Sequence, residues 1–198
     1  MRSCLSCSSS LSPLVQSSAK FCGDRCRQRA HRAQVRPVFP VELLERDRWI
    51  RRSVDKVPLQ VSGRNASSTA SKTWSSYAVA SASSVGAGLG FGLNSDGIVC
   101  VDLDHCLSES SVVADWAREI VGQIPGTFVE VSPSGDGLHV WGRSSFAGGR
   151  RFTVNGGGVE VYSTARYLTM TGRKFRGSKD RLADLDGFIE FLLGAHDG

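Results

Sequence analysis

Ile98-Val99-Cys100-Val101-Asp102-Leu103-Asp104 decides how this chain folds. The apolar run from Ile98 to Val101 reads as a buried strand. Side chains alternate across a strand, so Asp102 and Asp104 emerge on one face while Val101 and Leu103 pack on the other. Two carboxylates then share one small site, and ionised acids that close repel each other unless a cation lies between them. A hard divalent ion such as Mg²⁺, which takes oxygen ligands, meets that requirement and points to phosphate chemistry. A bare Asp-x-Asp also fits a strand end dissolving into a polar loop, so its surroundings have to decide.

Those surroundings are further short strands. Val129-Glu130-Val131 and Leu138-His139-Val140-Trp141 flank a turn punctuated by Pro133, Gly135 and Gly137, which reads as strand, Gly-rich turn, strand, with His139 at the start of the second. Gly158-Val159-Glu160-Val161-Tyr162 is another alternating run, with Val159 and Val161 on the core face and Glu160 opposite. Helices are expected over 41–52 (Leu43, Leu44 and Ile50 inward), 73–84 (carrying Trp74 and Tyr77), 111–123 (burying Val112, Trp116 and Ile120) and 180–193 (burying Leu185, Ile189 and Leu192). Residues 56–71 are turn-rich. Strands and helices alternate around the polar positions, so the class is α+β. Glycines at 86, 88, 90 and 92 run into a strand instead of opening a helix, which excludes a dinucleotide fingerprint. No Gly-x-x-x-x-Gly-Lys-Ser/Thr occurs, so the chain lacks the phosphate loop of a helicase.

Three of these segments, in this order and spacing, resemble the archaeo-eukaryotic primase superfamily, in the branch found as the N-terminal primase-polymerase (prim-pol) domain of phage and plasmid replication proteins. The strand ending in Asp102 and Asp104 matches its first motif. Ser134-Gly135-Asp136-Gly137-Leu138-His139 matches the second, a Ser-x-x-Gly-x-His hairpin, with one residue's difference in how the glycines are counted. Glu160, Arg166-Tyr167 and Thr171-Gly172 match the third, and Lys56-Val57-Pro58 with Gly63, Ala66-Ser67 and Thr73-Trp74 resembles the opening segment. The resemblance covers roughly residues 40–175. It implies an RNA-recognition-like (RRM-like) antiparallel sheet with flanking helices.

What the resemblance implies chemically is template-directed nucleotidyl transfer on single-stranded DNA with dNTPs or NTPs. Asp102, Asp104 and Glu160 would hold two Mg²⁺ or Mn²⁺ ions, and three carboxylates converging from two strands suit such a pair. His139 would meet the triphosphate, with Ser134 and the backbone N–H groups around Gly135 and Gly137 adding donors. Arg166 would take the same phosphates or the template, and Lys56 occupies a family position near the nucleotide. Taken singly, His139 also fits a hairpin histidine bonding a carbonyl, Glu160 a solvent-facing strand residue and Lys56 a turn lysine. Arg143, Arg150 and Arg151 around Gly148-Gly149 fit a nucleic-acid groove or ordinary surface. Two other function classes use the same features: a metal-dependent nuclease, disfavoured because Tyr162 stands where a catalytic lysine would follow Glu160, and a non-catalytic zinc-bearing DNA-binding replication factor. The chain stops soon after the third motif, which favours primer extension over initiation; a replicative helicase would be a separate partner.

The N-terminal segment carries its own signal. Cys4-Leu5-Ser6-Cys7 and Cys22-Gly23-Asp24-Arg25-Cys26 can wrap a tetrahedral Zn²⁺ in a small knuckle or ribbon, with His31 as an alternative fourth ligand and reduced thiols as the alternative state. The intervening Ser-rich stretch has too few large apolar residues for a core, so metal would supply the folding free energy. No apolar h-region follows Met1-Arg2, so a disulfide framework is not expected. Cys100 and Cys106 read as structural. The chain has 198 residues and net charge +5, of which residues 1–36 hold +6, with Asp24 their lone acid. That basic stripe, including an Arg-rich helix expected over 25–36, is the electrostatic footprint of nucleic-acid binding or else a solvated tail. No apolar run approaches the ~20 residues of a membrane helix. The expected organisation is a zinc-binding basic segment (1–36), a linker (37–40) broken by Pro37 and Pro40, and a catalytic domain (41–198), working in the cytoplasm of a bacterial or phage-infected cell.

Overall fold

A computed structural model describes residues 3–4, 9–11, 18–27 and 38–196, in two compact units, Met1–Pro37 and Val38–Gly198. In the first, Ser3 and Ser10 form an antiparallel bridge and residues 24–27 make one helical turn. Cys7, His31 and the remainder of the basic helix expected over 25–36 lie outside the described residues.

The second unit is α+β and built on two largely antiparallel sheets. Its strands are β1 (Trp49–Arg52), β2 (Pro58–Leu59), β3 (Gly88–Asn94), β4 (Ile98–Leu103), β5 (Phe128–Val131), β6 (Leu138–Arg143), β7 (Gly149–Val154), β8 (Gly157–Tyr162), β9 (Thr164–Met170) and β10 (Ala183–Asp184). Its helices are α1 (Val41–Leu44), α2 (Tyr77–Ala82), α3 (Arg118–Gln123) and α4 (Asp186–His196). One sheet runs β2-β1-β3-β9; the other runs β10-β6-β4-β8-β7, with β5 also paired to β6. Only β10 is parallel to its neighbour among these pairs.

The central strand β4 separates two cores. Val99, Val101 and Leu103 face one, closed by Ile120 of α3 and by Phe188, Ile189 and Leu192 of α4. Ile98 and Cys100 face the other, which they share with Trp141, Phe128 and the inner face of the smaller sheet, Trp49, Phe91, Leu168 and Met170. Cys100 and Cys106 are fully buried and burial pushes both thiols up, in keeping with a structural role. The glycine series finds its reason here. Gly88, Gly90 and Gly92 lie on the outer face of β3, where the Arg52 guanidinium, the Tyr167 ring and the Trp74 ring come to 2.9, 2.3 and 3.1 Å of where a Cβ would stand.

Several expected helices are shorter than their apolar spacing suggests. The segment 41–52 divides into α1 and β1, because Trp49–Arg52 pairs with Gly88–Phe91. The segment 73–84 is α-helical only over α2: a 3₁₀ turn at Ser71–Thr73 ends where it begins, Trp74 is extended, and α2 starts after Ser76, whose Oγ accepts from Val79 N at 3.4 Å. The segment 111–123 is helical only from Asp115, since Leu107 bridges Val113 and Ser111 takes φ 58°. Val112 is therefore exposed and Val113 buried in its place. The last helix starts at Asp186, after Ala183 and Asp184 have paired with β6, yet Leu185, Ile189 and Leu192 are buried as expected. Phe39, inside the segment read as linker, packs against Trp49, Tyr77 and Phe128 in the second core. Among the described residues no helix is long and apolar enough to cross a membrane.

Candidate functional site

Strand register brings the polar positions together. Asp102 of β4 is directly opposite His139 of β6 on one side and Glu160 of β8 on the other. His139 is opposite Glu130 of β5, and Glu160 opposite Arg151 of β7. Cross-strand partners share a face, so Glu130, His139, Asp102, Glu160 and Arg151 form one row across five strands. Asp104 follows in the turn after β4, its N–H donating to Gly158 O at 3.0 Å. Gly158 is a close neighbour of Asp104, whose Cβ lies 3.6 Å from where a Cβ of residue 158 would be, an ordinary van der Waals separation.

A cleft of about 380 Å³ opens over the middle of this row. Asp102, Asp104, His139 and Ser134 line it from the larger sheet and its turn, and Arg166, Tyr167 and Thr169 from β9. Lys56 lines it from the β1–β2 turn, where φ is 61° and its carbonyl accepts from the Tyr167 hydroxyl. Ser134 belongs to a bonded turn: its Oγ lies 2.8 Å from Ser132 Oγ and donates to Asp136, which also holds His105 Nδ1 at 2.6 Å. Gly135 takes φ 95°, the left-handed region that favours glycine, and Gly137 donates its N–H to Ser132 Oγ at 3.1 Å.

The electrostatics are those of charge held away from water. Burial pushes the Asp102 carboxyl up to about 6; His139 and Lys56 oppose the shift, and Asp104 and Glu160 add to it. Asp102 Oδ1 is buried without a hydrogen-bond partner, 3.8 Å from His139 Nε2. Burial alone would lower the His139 value, but the hydrogen bond that its ring donates to Glu130 and the charges of Asp102 and Glu130 together hold it above the ordinary histidine value. A buried carboxylate oxygen with no donor beside it is the place a hard cation fits, and the oxygen-only donor set of Asp102, Asp104 and Glu160 suits Mg²⁺ or Mn²⁺.

Glu160 stands apart from the cleft lining. Its Oε1 meets Arg151 Nε at 3.0 Å, and its Oε2 accepts from the Tyr162 hydroxyl at 2.8 Å and lies 3.5 Å from Arg166. Arg166 in turn lies over the Tyr162 ring, 4.6 Å from its centroid. Among the described residues, the group of three metal-competent side chains whose ligand atoms lie within 4.8 Å of one another is Cys4, Cys22 and Cys26, not the three acids. Cys22 and Cys26 sulfurs are 3.5 Å apart. The arginines around Gly148-Gly149 do not form one groove: Arg143 pairs with Glu42 at 3.4 Å, whereas Arg150 and Arg151 alternate across β7.

Sequence reasoning missed Glu130. It is wholly buried, with Oε1 3.2 Å from His139 Nδ1 and Oε2 accepting from Thr171 N and Gly172 N at 2.9 and 2.8 Å. Its signal was present: Val129-Glu130-Val131 alternates as Val159-Glu160-Val161 does. A second cleft of about 400 Å³ is lined by Glu42, Arg46, Asp96 and Asp186; Asp186 is engaged with Ser144 and Ser145, Asp96 with Arg46 and Arg48, and Glu42 through Oε1 with Arg143 and Leu182 N.

No protein-family model matches the chain. It is 39% identical over 147 residues to the DNA primase-polymerase of Nitratiruptor phage NrS-1, an alignment covering 70% of this chain and 20% of that protein. This chain thus spans 20% of the length of the relative it matches. With the aspartate strand, the Gly-turn histidine and the strand glutamate meeting in one row, that similarity supports a primase-polymerase family for this chain.

Proposed function

We propose that the cleft over Asp102 and His139 carries template-directed nucleotidyl transfer on single-stranded DNA, as the DNA primase/polymerase of a phage or plasmid replication system. The observation that carries it is the cross-strand row with the buried Asp102 Oδ1, which accepts no hydrogen bond. On this reading the larger sheet is an RRM-like catalytic core of the archaeo-eukaryotic primase type. Asp102, Asp104 and Glu160 would hold Mg²⁺ or Mn²⁺, and such ions, when bound, lower the barrier by neutralising charge on the attacking and leaving oxygens. His139 directs Nε2 at the incoming triphosphate, and Ser134 with the Gly135 and Gly137 backbone supplies further donors. Lys56 and Arg166 add positive charge on the opposite wall, where a polyanion loses the least on leaving water.

In the first unit Cys4, Cys22 and Cys26, with Cys7 as the fourth, hold a structural Zn²⁺, and the basic residues around them add salt-sensitive affinity for the DNA template. The test is primer extension and priming with dNTPs or NTPs and Mg²⁺ or Mn²⁺, comparing wild type with Asp102→Ala/Asp104→Ala. Loss of extension supports the assignment, equal activity in both removes it, and strand cleavage in place of extension favours the nuclease.

A further inference from the structure

The geometry points to Glu130 as the positioning residue that fixes His139, with its Nδ1–H tied into the core and Nε2 left to face the cleft. The inference rests on the nucleotide-transfer reading above for its consequence, and on the hydrogen bonds alone for its substance. Glu130 is 0% exposed, yet its carboxylate is satisfied on both oxygens. Oε2 accepts from two backbone N–H groups, Thr171 at 2.9 Å and Gly172 at 2.8 Å, with Thr171 Oγ1 at 3.2 Å. Backbone donors cannot become acceptors, so that oxygen is fixed in role and place. Oε1, held by the same carboxylate, then presents lone pairs to His139 Nδ1 at 3.2 Å. A carboxylate is acceptor-only, so Nδ1 must be the protonated nitrogen. Nε2 is left pointing toward the cleft, 3.8 Å from Asp102 Oδ1.

The tie also explains the Thr-Gly pair. Thr171 Oγ1 donates to Val131 O at 2.7 Å and accepts from Arg173 N at 3.1 Å, so the loop after β9 is sewn to β5 and its two N–H groups are aimed at Glu130. His139 is thereby oriented through Glu130 by a loop that does not itself line the cleft.

Replacing Glu130 by glutamine tests this with little change of shape. The one carbonyl oxygen of Gln must meet the Thr171 and Gly172 N–H groups, which turns its NH₂ toward His139 and makes Nδ1 the acceptor. Nitrogen-15 shifts of the His139 ring, recorded at high pH where the ring is neutral, are expected to show Nδ1–H in the wild type and Nε2–H in Glu130→Gln. Nucleotide KM in primer extension is expected to rise about tenfold in the variant, with a smaller change in kcat. Thr171→Val, which removes the hydroxyl but not the backbone donors, keeps the wild-type tautomer. A wild-type ring protonated on Nε2 overturns the proposal without any variant, and so does a Glu130→Gln protein that melts lower but keeps the tautomer and nucleotide KM. If the tautomer inverts while the wild type neither binds nor incorporates nucleotide, Glu130 keeps its positioning role and the polymerase reading falls.

Discussion

Arg151 of β7 and Glu160 of β8 face each other across the edge of the larger sheet, with Nε and Oε1 at 3.0 Å. Arg166 and the Tyr162 hydroxyl hold the other carboxylate oxygen. A cation that recruits Glu160 therefore has to draw it away from two guanidinium groups. The Arg151 side chain is 74% exposed, so its share of this hold is small, about 0–1 kcal/mol. Arg151→Ala is expected to tighten Mn²⁺ binding, by at most about fivefold, in calorimetric titrations without nucleotide. Weaker binding in the variant would show that Arg151 supports the acid in its working position instead of competing for it.

Asp102 makes the metal-free protein pH-sensitive. Burial raises its carboxyl from 3.8 to about 6, so the folded state holds this proton more tightly than the unfolded chain does. Its contribution to stability is fully present below pH 3.8 and is lost as pH rises through about 6. Asparagine, neutral at every pH, keeps that contribution. Asp102→Asn is expected to be more stable than wild type at pH 7.5 in chelator by on the order of 2 kcal/mol, and to converge with it near pH 4. Denaturant unfolding at the two pH values measures the difference; an equal offset at both would assign it to packing.

The parts of this site legible in the sequence are those fixed by strand alternation. Asp102, His139 and Glu160 each sit in a period-two run, so a strand assignment already chooses their face, and hydrogen-bonded register does the rest. Register itself is a long-range property: nothing local in Phe128–Val131 says that Glu130 lies opposite His139. The smaller sheet was hidden for a related reason. Leu43, Leu44 and Ile50 match helical spacing, and what overrides it is pairing with Gly88–Phe91, some forty residues downstream. Tertiary pairing outranks propensity where a segment is this short.

The outer face of β3 gives a paired packing prediction. A methyl group at Gly90 would stand 2.3 Å from Tyr167 Cε2 and 3.1 Å from Leu168 O, so Gly90→Ala must push the tyrosine ring away from the backbone. A loss of about 1–3 kcal/mol is expected, together with weaker nucleotide binding, because Tyr167 lines the cleft and bonds the Lys56 carbonyl. Gly122 lies within α3 with nothing within 4 Å of its would-be Cβ. Gly122→Ala is expected to gain about 0.5–1 kcal/mol from helix propensity alone. Thermal melts of the two variants check both signs, and destabilisation by Gly122→Ala would contradict the open environment on that side of the helix.

The cysteines predict how the two units respond to chelation. Cys4, Cys22 and Cys26 bring three sulfurs within 4.8 Å of one another in a unit with few large apolar residues. If a bound ion supplies the folding free energy there, the unit is expected to be folded when loaded and unfolded when stripped. Metal analysis is expected to find about one zinc per wild-type chain and none in Cys22→Ser, with the same loss in Cys7→Ser if that thiolate completes a tetrahedral site. Chelator should then expose residues of Met1–Pro37 to protease while Val38–Gly198, whose two cores contain none of these three sulfurs, stays resistant. Unchanged zinc content in Cys22→Ser would remove the site, and cleavage spreading through both units at the same chelator concentration would tie the stability of the second unit to the metal as well.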